Sequence, residues 1–391
     1  MISTYKRKVI NIEEMTYKYW LFRLKGISNR KKIELVTLFN SASEVYNASE
    51  GKLVQLGKLN EKQIDAIKCS IEKNNLEDYS YLEKKGAKLT TYDMDNYPKR
   101  LRDIHNPPYG LLYIGKLPSN NRRSVAIIGA RRCSQYGEYL AQEFGSYLAQ
   151  RDIQIISGLA RGIDGISQFS AIEKGGSSFG ILGCGVNICY PSENIHIYNE
   201  LKESGGIISE YDIDYPPLAQ NFPARNRLIS GLVDAVLVIE AKEKSGTLIT
   251  VDFALEQGRD VYAVPGRVVD PLSYGCNYLI KQGAAIVLSP KDLYREICPY
   301  TKKVNESENV IKVENDLQGI KKDIVDVLDN EPLTIDEVLV GLIKLKGEYI
   351  DLSITSLMKN LMELTMDGEI VQKGGNLFCK IFACTNRKYG V

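Results

Sequence analysis

The chain has 391 residues, 44% of them apolar and 25% charged, enough to bury a substantial core and to form two or three globular domains. Its net charge of +1 gives the whole molecule no electrostatic preference, so an anion site has to come from local clustering. Eight cysteines with no C-x-x-C pair, and only His105 and His196 beside them, argue against a zinc site and read as reduced thiols of a cytoplasmic protein. The start, Met1-Ile-Ser-Thr-Tyr-Lys6-Arg7-Lys8, has no apolar segment of a signal peptide after it. Without an apolar run of about 18 residues, no membrane span is expected.

Residues 1–78 read as a helical domain. Residues 15–24 carry apolar side chains at helical spacing, including Trp20, the single tryptophan. The stretch Leu24-Lys25-Gly26-Ile27-Ser28 resembles the turn of a helix-hairpin-helix or SAM-like module, whose backbone meets phosphates without reading bases. Gln55-Leu56-Gly57-Lys58-Leu59-Asn60 is a weaker second copy. Residues 1–75 hold 14 Lys and Arg against 8 Asp and Glu, a local charge of +6. A solvated basic face on a small protein-interaction domain explains these features equally well.

Residues 79–299 read as the core. Residues 88–92 suit a strand, and Leu111-Leu-Tyr113-Ile114-Gly115 an edge strand. Five short apolar runs then end in loops rich in Gly, Ser, Thr and Arg. Val125-Ala-Ile-Ile leads to Gly129-Ala130-Arg131-Arg132, and Ile153-Gln-Ile-Ile156 to Ser157-Gly158-Leu-Ala-Arg161-Gly162. Phe179-Gly-Ile-Leu182 leads to Gly183-Cys-Gly185. Ala235-Val-Leu-Val-Ile239 leads to Lys242, Lys244 and Ser245-Gly246-Thr247. Val261-Tyr-Ala-Val264 leads to Pro265-Gly266-Arg267. Helix-length segments separate them, at residues 136–150, 163–174, 226–232 and 247–257, with Phe222-Pro223-Ala224-Arg225 as a loop entering the third. This is the pattern of an extended Rossmann-like α/β core with a mostly parallel sheet buried on both faces. Ligands of such sheets bind at the carboxyl ends of the strands.

Residues 300–318 are polar, without period, and read as a linker. In residues 319–391, three helices precede a hairpin with Gly374-Gly375-Asn376 at its turn, the winged-helix pattern. Lys359 is the only basic residue of the third helix, beside Glu363 and Asp367, and the domain carries 9 basic against 11 acidic residues. That favours a protein-contact or regulatory role over reading of DNA.

The strand-end loops describe a polyanion site. Glycines admit phosphate to the backbone, helix N-termini favour its charge, and arginines clamp it. Arg131, Arg161, Arg225 and Arg227 all fall on one predicted edge, with Tyr190, Tyr211 and Phe222 on the same loops. A basic track with aromatics suits a single strand, whose bases can stack. No P-loop, no G-x-S-x-G elbow and no G-x-G-x-x-G fingerprint is present, and no carboxylate stands in a recognised catalytic spacing. Plainer roles exist as well. Asp164 can cap a helix or orient Arg161, Glu240 can pair with an arginine, and Gly183 and Gly185 can serve tight packing.

The motifs carry a resemblance. Val125-Ala-Ile-Ile-Gly-Ala-Arg131, Ser157-Gly-Leu-Ala-Arg-Gly-Ile-Asp164, Ile181-Leu-Gly-Cys-Gly-Val-Asn187 and Tyr190-Pro-Ser-Glu-Asn194 come first. Phe222-Pro-Ala-Arg-Asn-Arg-Leu-Ile229, Ser245-Gly-Thr-Leu-Ile-Thr250, Gly258-Arg-Asp-Val-Tyr-Ala-Val-Pro-Gly266 and Gly275-Cys-Asn277 follow in order. Together they resemble the DNA-processing protein A family (DprA, also called Smf) over roughly residues 90–290. The resemblance implies a protein that binds single-stranded DNA, needs no cofactor and is not an enzyme. It implies protection of incoming single strands in natural transformation and loading of the recombinase RecA. It further implies a homodimer joined near residues 276–288. The family's motif arginines fall on Arg131, Arg225 and Arg227. The expected phosphate contacts are these with Gly129, Ser157, Gly158, Arg161, Gly183, Gly185, Asn194, Lys242, Lys244, Ser245, Gly246 and Thr247. Two positions depart from the family pattern: Gln168 replaces a common histidine and Asn187 a common aspartate. The competing reading is a phosphoribohydrolase-like enzyme acting on nucleoside phosphates on a similar core. Such enzymes carry Pro-Gly-Gly-x-Gly-Thr followed by a glutamate, and Lys244-Ser-Gly-Thr-Leu-Ile-Thr250 lacks that glutamate.

Overall fold

The computed structural model describes residues 2–73, 76, 79–298, 319–328, 332–346, 352–366, 369–373 and 377–380, with side chains from Glu13 onward. The chain divides into two compact units, Met1–Tyr300 and Thr301–Val391. The expected linker at 300–318 and the Gly374-Gly375-Asn376 turn lie outside the described residues.

The first unit is built on nine strands: β1 (Lys88–Thr91), β2 (Gly110–Gly115), β3 (Ser124–Ile128), β4 (Gln154–Ser157), β5 (Ser178–Ile181), β6 (Gly206–Ser209), β7 (Ala235–Val238), β8 (Asp260–Ala263) and β9 (Ala285–Ile286). Their order is β1-β2-β6-β5-β4-β3-β7-β8-β9. The seven strands from β6 to β9 are parallel, while β2 runs antiparallel to β6 and β1 antiparallel to β2. Strand β2 therefore lies one place inside the sheet, not at its edge as its sequence suggests, because β1 covers it. Strands β3 to β7 are buried along their whole length, which explains their unbroken apolar runs.

Alternation along each strand feeds two layers. Ala126, Ile128, Ile156 and Val236 pack under the helices Asn221–Gly231, Gly246–Glu256 and Tyr274–Lys281. Val125, Ile127, Ile155 and Leu237 pack against Gln135–Ala149, Ile163–Glu173 and Pro290–Ile297. The Asn221–Gly231 helix starts five residues earlier than its sequence suggests. Pro223 looks like a breaker, but it sits in the first helical turn, where the missing N–H has no intrahelical partner to lose. This shift puts Arg225 inside the helix and fixes the direction of its side chain.

Helices Ile2–Arg23, Asn29–Phe39 and Glu61–Glu72 close around Trp20, Leu35, Phe39 and Ile67. Gly26, at φ +84°, makes the turn between the first two, and Ser28 caps the second by accepting from Lys31 N–H. In the second unit, helices Ile320–Val327, Ile335–Leu345 and Ile354–Met366 pack with an antiparallel sheet of β10 (Leu333–Thr334), β12 (Leu377–Lys380) and β11 (Ile370–Lys373), in that order. Thr334 and Glu337 form the capping box that their spacing predicts. Among the described residues, no helix is long and apolar enough to cross a membrane.

Candidate nucleic-acid interface

From β3 the parallel strands step one way through β4 and β5 to β6, and the other way through β7 and β8 to β9. The loops after β3 and β7 thus diverge and leave a crevice at the carboxyl edge, the usual ligand position of an open α/β sheet. A cavity of about 450 Å³ lies there, walled by Gly129 to Arg132, Asp164, residues of the Asn221–Gly231 helix, and the Lys242 to Thr247 loop.

The Gln135–Ala149 helix points its N-terminus at this edge, where dinucleotide folds place a pyrophosphate. Here that position is filled. The buried Glu240 carboxylate accepts from Ser134 N–H at 2.9 Å and from the Ser134 hydroxyl. Gly137 makes room for it, since a Cβ would collide with the carboxylate. The expectation that Glu240 pairs with an arginine is thereby corrected: the helix terminus is the nearer and better-aligned positive end.

Arg131, Arg132, Lys242 and Lys244 are exposed around the cavity. None has a hydrogen bond or ion pair among the described residues. Ser245 caps the Gly246–Glu256 helix by accepting from Thr247 N–H at 3.2 Å, and the Thr247 hydroxyl donates to Gly129 O at 3.2 Å. This bond ties the loop after β7 to the end of β3. Gly246 stands exposed, with open space at its Cα. Asn226 and Thr250 also line the cavity; both lie within the family motifs but are not among the expected phosphate contacts, although Asn226 sits between the two motif arginines. Phe222 lines the cavity as well, and the Tyr190 ring, 46% exposed, lies 5.2 Å from it.

Several expected contacts are turned inward. Arg225 is 4% exposed and donates to Gly158 O at 3.1 Å. Burial pulls its pKa down to about 10, opposed by the charge of Asp164. Asp164 accepts from Gly158 N–H at 3.0 Å, and burial raises its pKa against the pull of Arg225. Asp164 therefore supplies the charge that faces Arg225, whose guanidinium is oriented by Gly158 O and Asn226, while Arg161 reaches Glu193 instead. A Cβ on Gly158 would lie 2.7 Å from Arg225 and 2.9 Å from Asp164, so the glycine is the gap that the two charged groups share.

Arg227 forms a two-pronged ion pair with Glu210, at 3.1 and 2.6 Å, and stands outside the crevice. The Ser157 hydroxyl donates to Ile127 O at 2.7 Å, and Asn194 Nδ2 to the carbonyls of Leu159 and Ala160. Gly183 O accepts from Asn221 at 3.0 Å, and Gly185 N–H donates to Tyr215 O at 2.8 Å. Tyr211 stacks on Tyr215, also outside the crevice. Gln168 accepts from Leu159 N–H at 3.0 Å and donates to Phe179 O at 2.9 Å, so the departure at this position is a buried neutral clamp. Asn187 donates to Asp214 at 2.7 Å on the surface.

The comparisons with known proteins agree with this architecture. The profile described as DNA recombination-mediator protein A matches residues 88–298. Protein Smf of Escherichia coli is 42% identical over 218 residues, 56% of this chain and 58% of that protein. The DNA processing protein DprA of Streptococcus pneumoniae is 38% identical over 221 residues, 56% of this chain and 78% of its own. Its X-ray structure superposes with a TM-score of 0.62 at 31% identity, covering 72% of this chain and 97% of that one. The DNA processing protein A of Helicobacter pylori, solved to describe its single-stranded DNA binding mode, aligns at 28% identity and a TM-score of 0.50, over 54% of this chain and 96% of that one. The chain spans little more than half the length of the Smf protein it matches, while its sheet, its crevice and the matched segment coincide. This protein belongs to the DNA recombination-mediator protein A family.

Proposed function

We propose that the crevice holds single-stranded DNA by its phosphates, and that the protein protects such strands and passes them to a RecA-type recombinase. The observation that carries this is the group of four cations without a partner among the described residues, Arg131, Arg132, Lys242 and Lys244, round a cavity whose helix terminus is already neutralised by Glu240. A mononucleotide enzyme would use that terminus, whereas a strand needs only a row of cations and a stacking surface. The exposed Tyr190 against Phe222 supplies the surface. The single-stranded DNA binding mode described for the Helicobacter pylori relative supports the same ligand.

In this reading the protein is a binder without catalysis, acting in the cytoplasm. It works as a homodimer through the exposed apolar rim that includes Tyr278, Ile286 and Leu288 near β9. The second unit is a winged-helix module that contacts protein; its Lys359 already lies 4.0 Å from Glu363.

Titration of a fluorescent oligothymidylate against salt tests the proposal. The logarithm of affinity should fall with log salt by about 0.7 per phosphate neutralised, and Arg131→Ala should reduce both affinity and slope. Salt-independent binding, equal affinity for duplex, or release of a base from a nucleoside monophosphate would each refute it.

A further inference from the structure

A larger hollow, of about 1230 Å³, lies on the other side of the Asn221–Gly231 helix, between the N-terminal helices and the loop after β6. We infer that it carries a second segment of the same single strand, with bases on Tyr211 and Tyr215 and phosphates on Lys25 and Lys73. This rests on the crevice reading above and extends it.

Three observations support it. The first is charge. Lys25, in the Gly26 hairpin, and Lys73 are exposed and have no hydrogen bond or ion pair among the described residues. The acids of the hollow are already engaged: Glu210 by Arg227, and Asp212 by Arg23 and the Tyr19 hydroxyl. Lys32, in the same wall, donates to Phe22 O at 2.7 Å and is spent on the protein. The remaining field comes from Lys25 and Lys73 and is positive. The second observation is surface. The Tyr211 and Tyr215 rings lie 5.2 Å apart with planes 22° from parallel, a preformed aromatic platform in the hollow's wall. Such platforms accept any base, because every base has a π-face.

The third is continuity. Phe222, Arg225, Asn226 and Ile229 form one stripe of the Asn221–Gly231 helix and line the crevice. Ala224 and Arg227, rotated round the same helix, line the hollow. Pro223 and Ala224, in the first turn between the two, are exposed. A strand leaving the crevice over that turn enters the hollow without crossing a buried ridge. The Leu-x-Gly-Ile hairpin, which the crevice does not use, then finds its place as the far wall.

The test uses the full chain with oligothymidylates of about 6 and about 20 nucleotides, spanning the range of single-strand site sizes. Two double variants are compared, Tyr211→Ala with Tyr215→Ala, and Lys25→Glu with Lys73→Glu. The lysine pair is exposed, so its effect cannot come from loss of fold. Both should weaken the long oligomer about tenfold while leaving the short one within about twofold. The lysine pair should also flatten the salt slope for the long oligomer by about 0.7 per phosphate lost. Unchanged binding of the long oligomer by both variants overturns the inference. So does a variant that keeps DNA affinity and loses a protein partner, since the hollow is then a protein-docking site. If the wild type fails to bind the short oligomer, the crevice reading itself is what has failed.

Discussion

Replacing Arg225 with alanine separates an arginine that holds the site together from one that meets the ligand. Its guanidinium is buried, donates to Gly158 O at 3.1 Å and faces Asp164 across Gly158. Removing it leaves the Asp164 carboxylate buried on its donors, the Gly158 N–H among them, without the countercharge of Arg225. Breaking a buried charge pair costs roughly 3–5 kcal/mol. Asp164 keeps its backbone donor, and burial already favours its protonated form, so it can take up a proton. Both effects place this case at the low end, about 3 kcal/mol. A chain this long loses about 2 °C in Tm per kcal/mol, so Arg225→Ala should melt about 6 °C below wild type. Arg131→Ala, at an exposed side chain without a partner among the described residues, should melt within about 1 °C of wild type, because such surface changes stay within about 0.5 kcal/mol. Scanning calorimetry of both, with strand binding measured well below the transition, gives the comparison. Adding Asp164→Asn to Arg225→Ala should cost less than the sum of the single changes, with a coupling of about 1–3 kcal/mol. If Arg225→Ala melts with wild type and loses as much affinity as Arg131→Ala, Arg225 is a phosphate ligand and the structural account is refuted.

Glu240→Ala should destabilise the protein by about 2–3 kcal/mol in urea unfolding, through loss of a buried acceptor and of the charge at a helix N-terminus. It should also let inorganic phosphate raise the Tm by more than it does in wild type, where only the crevice cations can hold it; equal stabilisation of both would refute the filled-terminus argument. Lys32 is buried, and burial pulls its pKa from 10.5 to about 7. Between those values the unfolded chain holds more protons than the folded one, so stability rises with pH by up to about 1.4 kcal/mol per unit. Lys32→Met removes that slope. Its stability advantage over wild type should be largest at and below pH 7 and shrink toward pH 9, and an advantage constant with pH would refute the assignment. Deleting residues 319–391 should leave single-strand affinity within about tenfold, and a larger loss would give the second unit a direct part in binding.

How far the sequence could be read follows from which facts are local. The central parallel strands are buried on both faces, so they appear as apolar runs that lead into loops rich in Gly, Ser, Thr and Arg, and five such runs place the sheet. The Ser134 and Thr334 caps are equally local. The partner of Glu240 is not local. It depends on β7 lying beside β3, a neighbour relation that no spacing within either run encodes. The hollow walled by Lys25 and Tyr211 depends on how the N-terminal helices dock, which is further still from any short motif.

Helical phase decides the case of the two motif arginines. Arg225 and Arg227 are two residues apart, which on a helix means opposite sides, so they cannot both clamp one phosphate row. One reaches the end of β4 at Gly158 and the other the acid after β6, at Glu210. Between them they pin the Asn221–Gly231 helix to two strand ends. That anchorage sets Phe222 and Asn226 against the crevice and Ala224 toward the hollow. In the proposed binding mode the basic residues of this helix thus shape the path, while the charge offered to the ligand comes from the flanking loops at Arg131, Lys242 and Lys244. A lysine at position 225 would keep the charge but not the flat, many-donor fork that reaches both Gly158 O and Asn226. Arg225→Lys should therefore recover only part of the stability that Arg225→Ala loses.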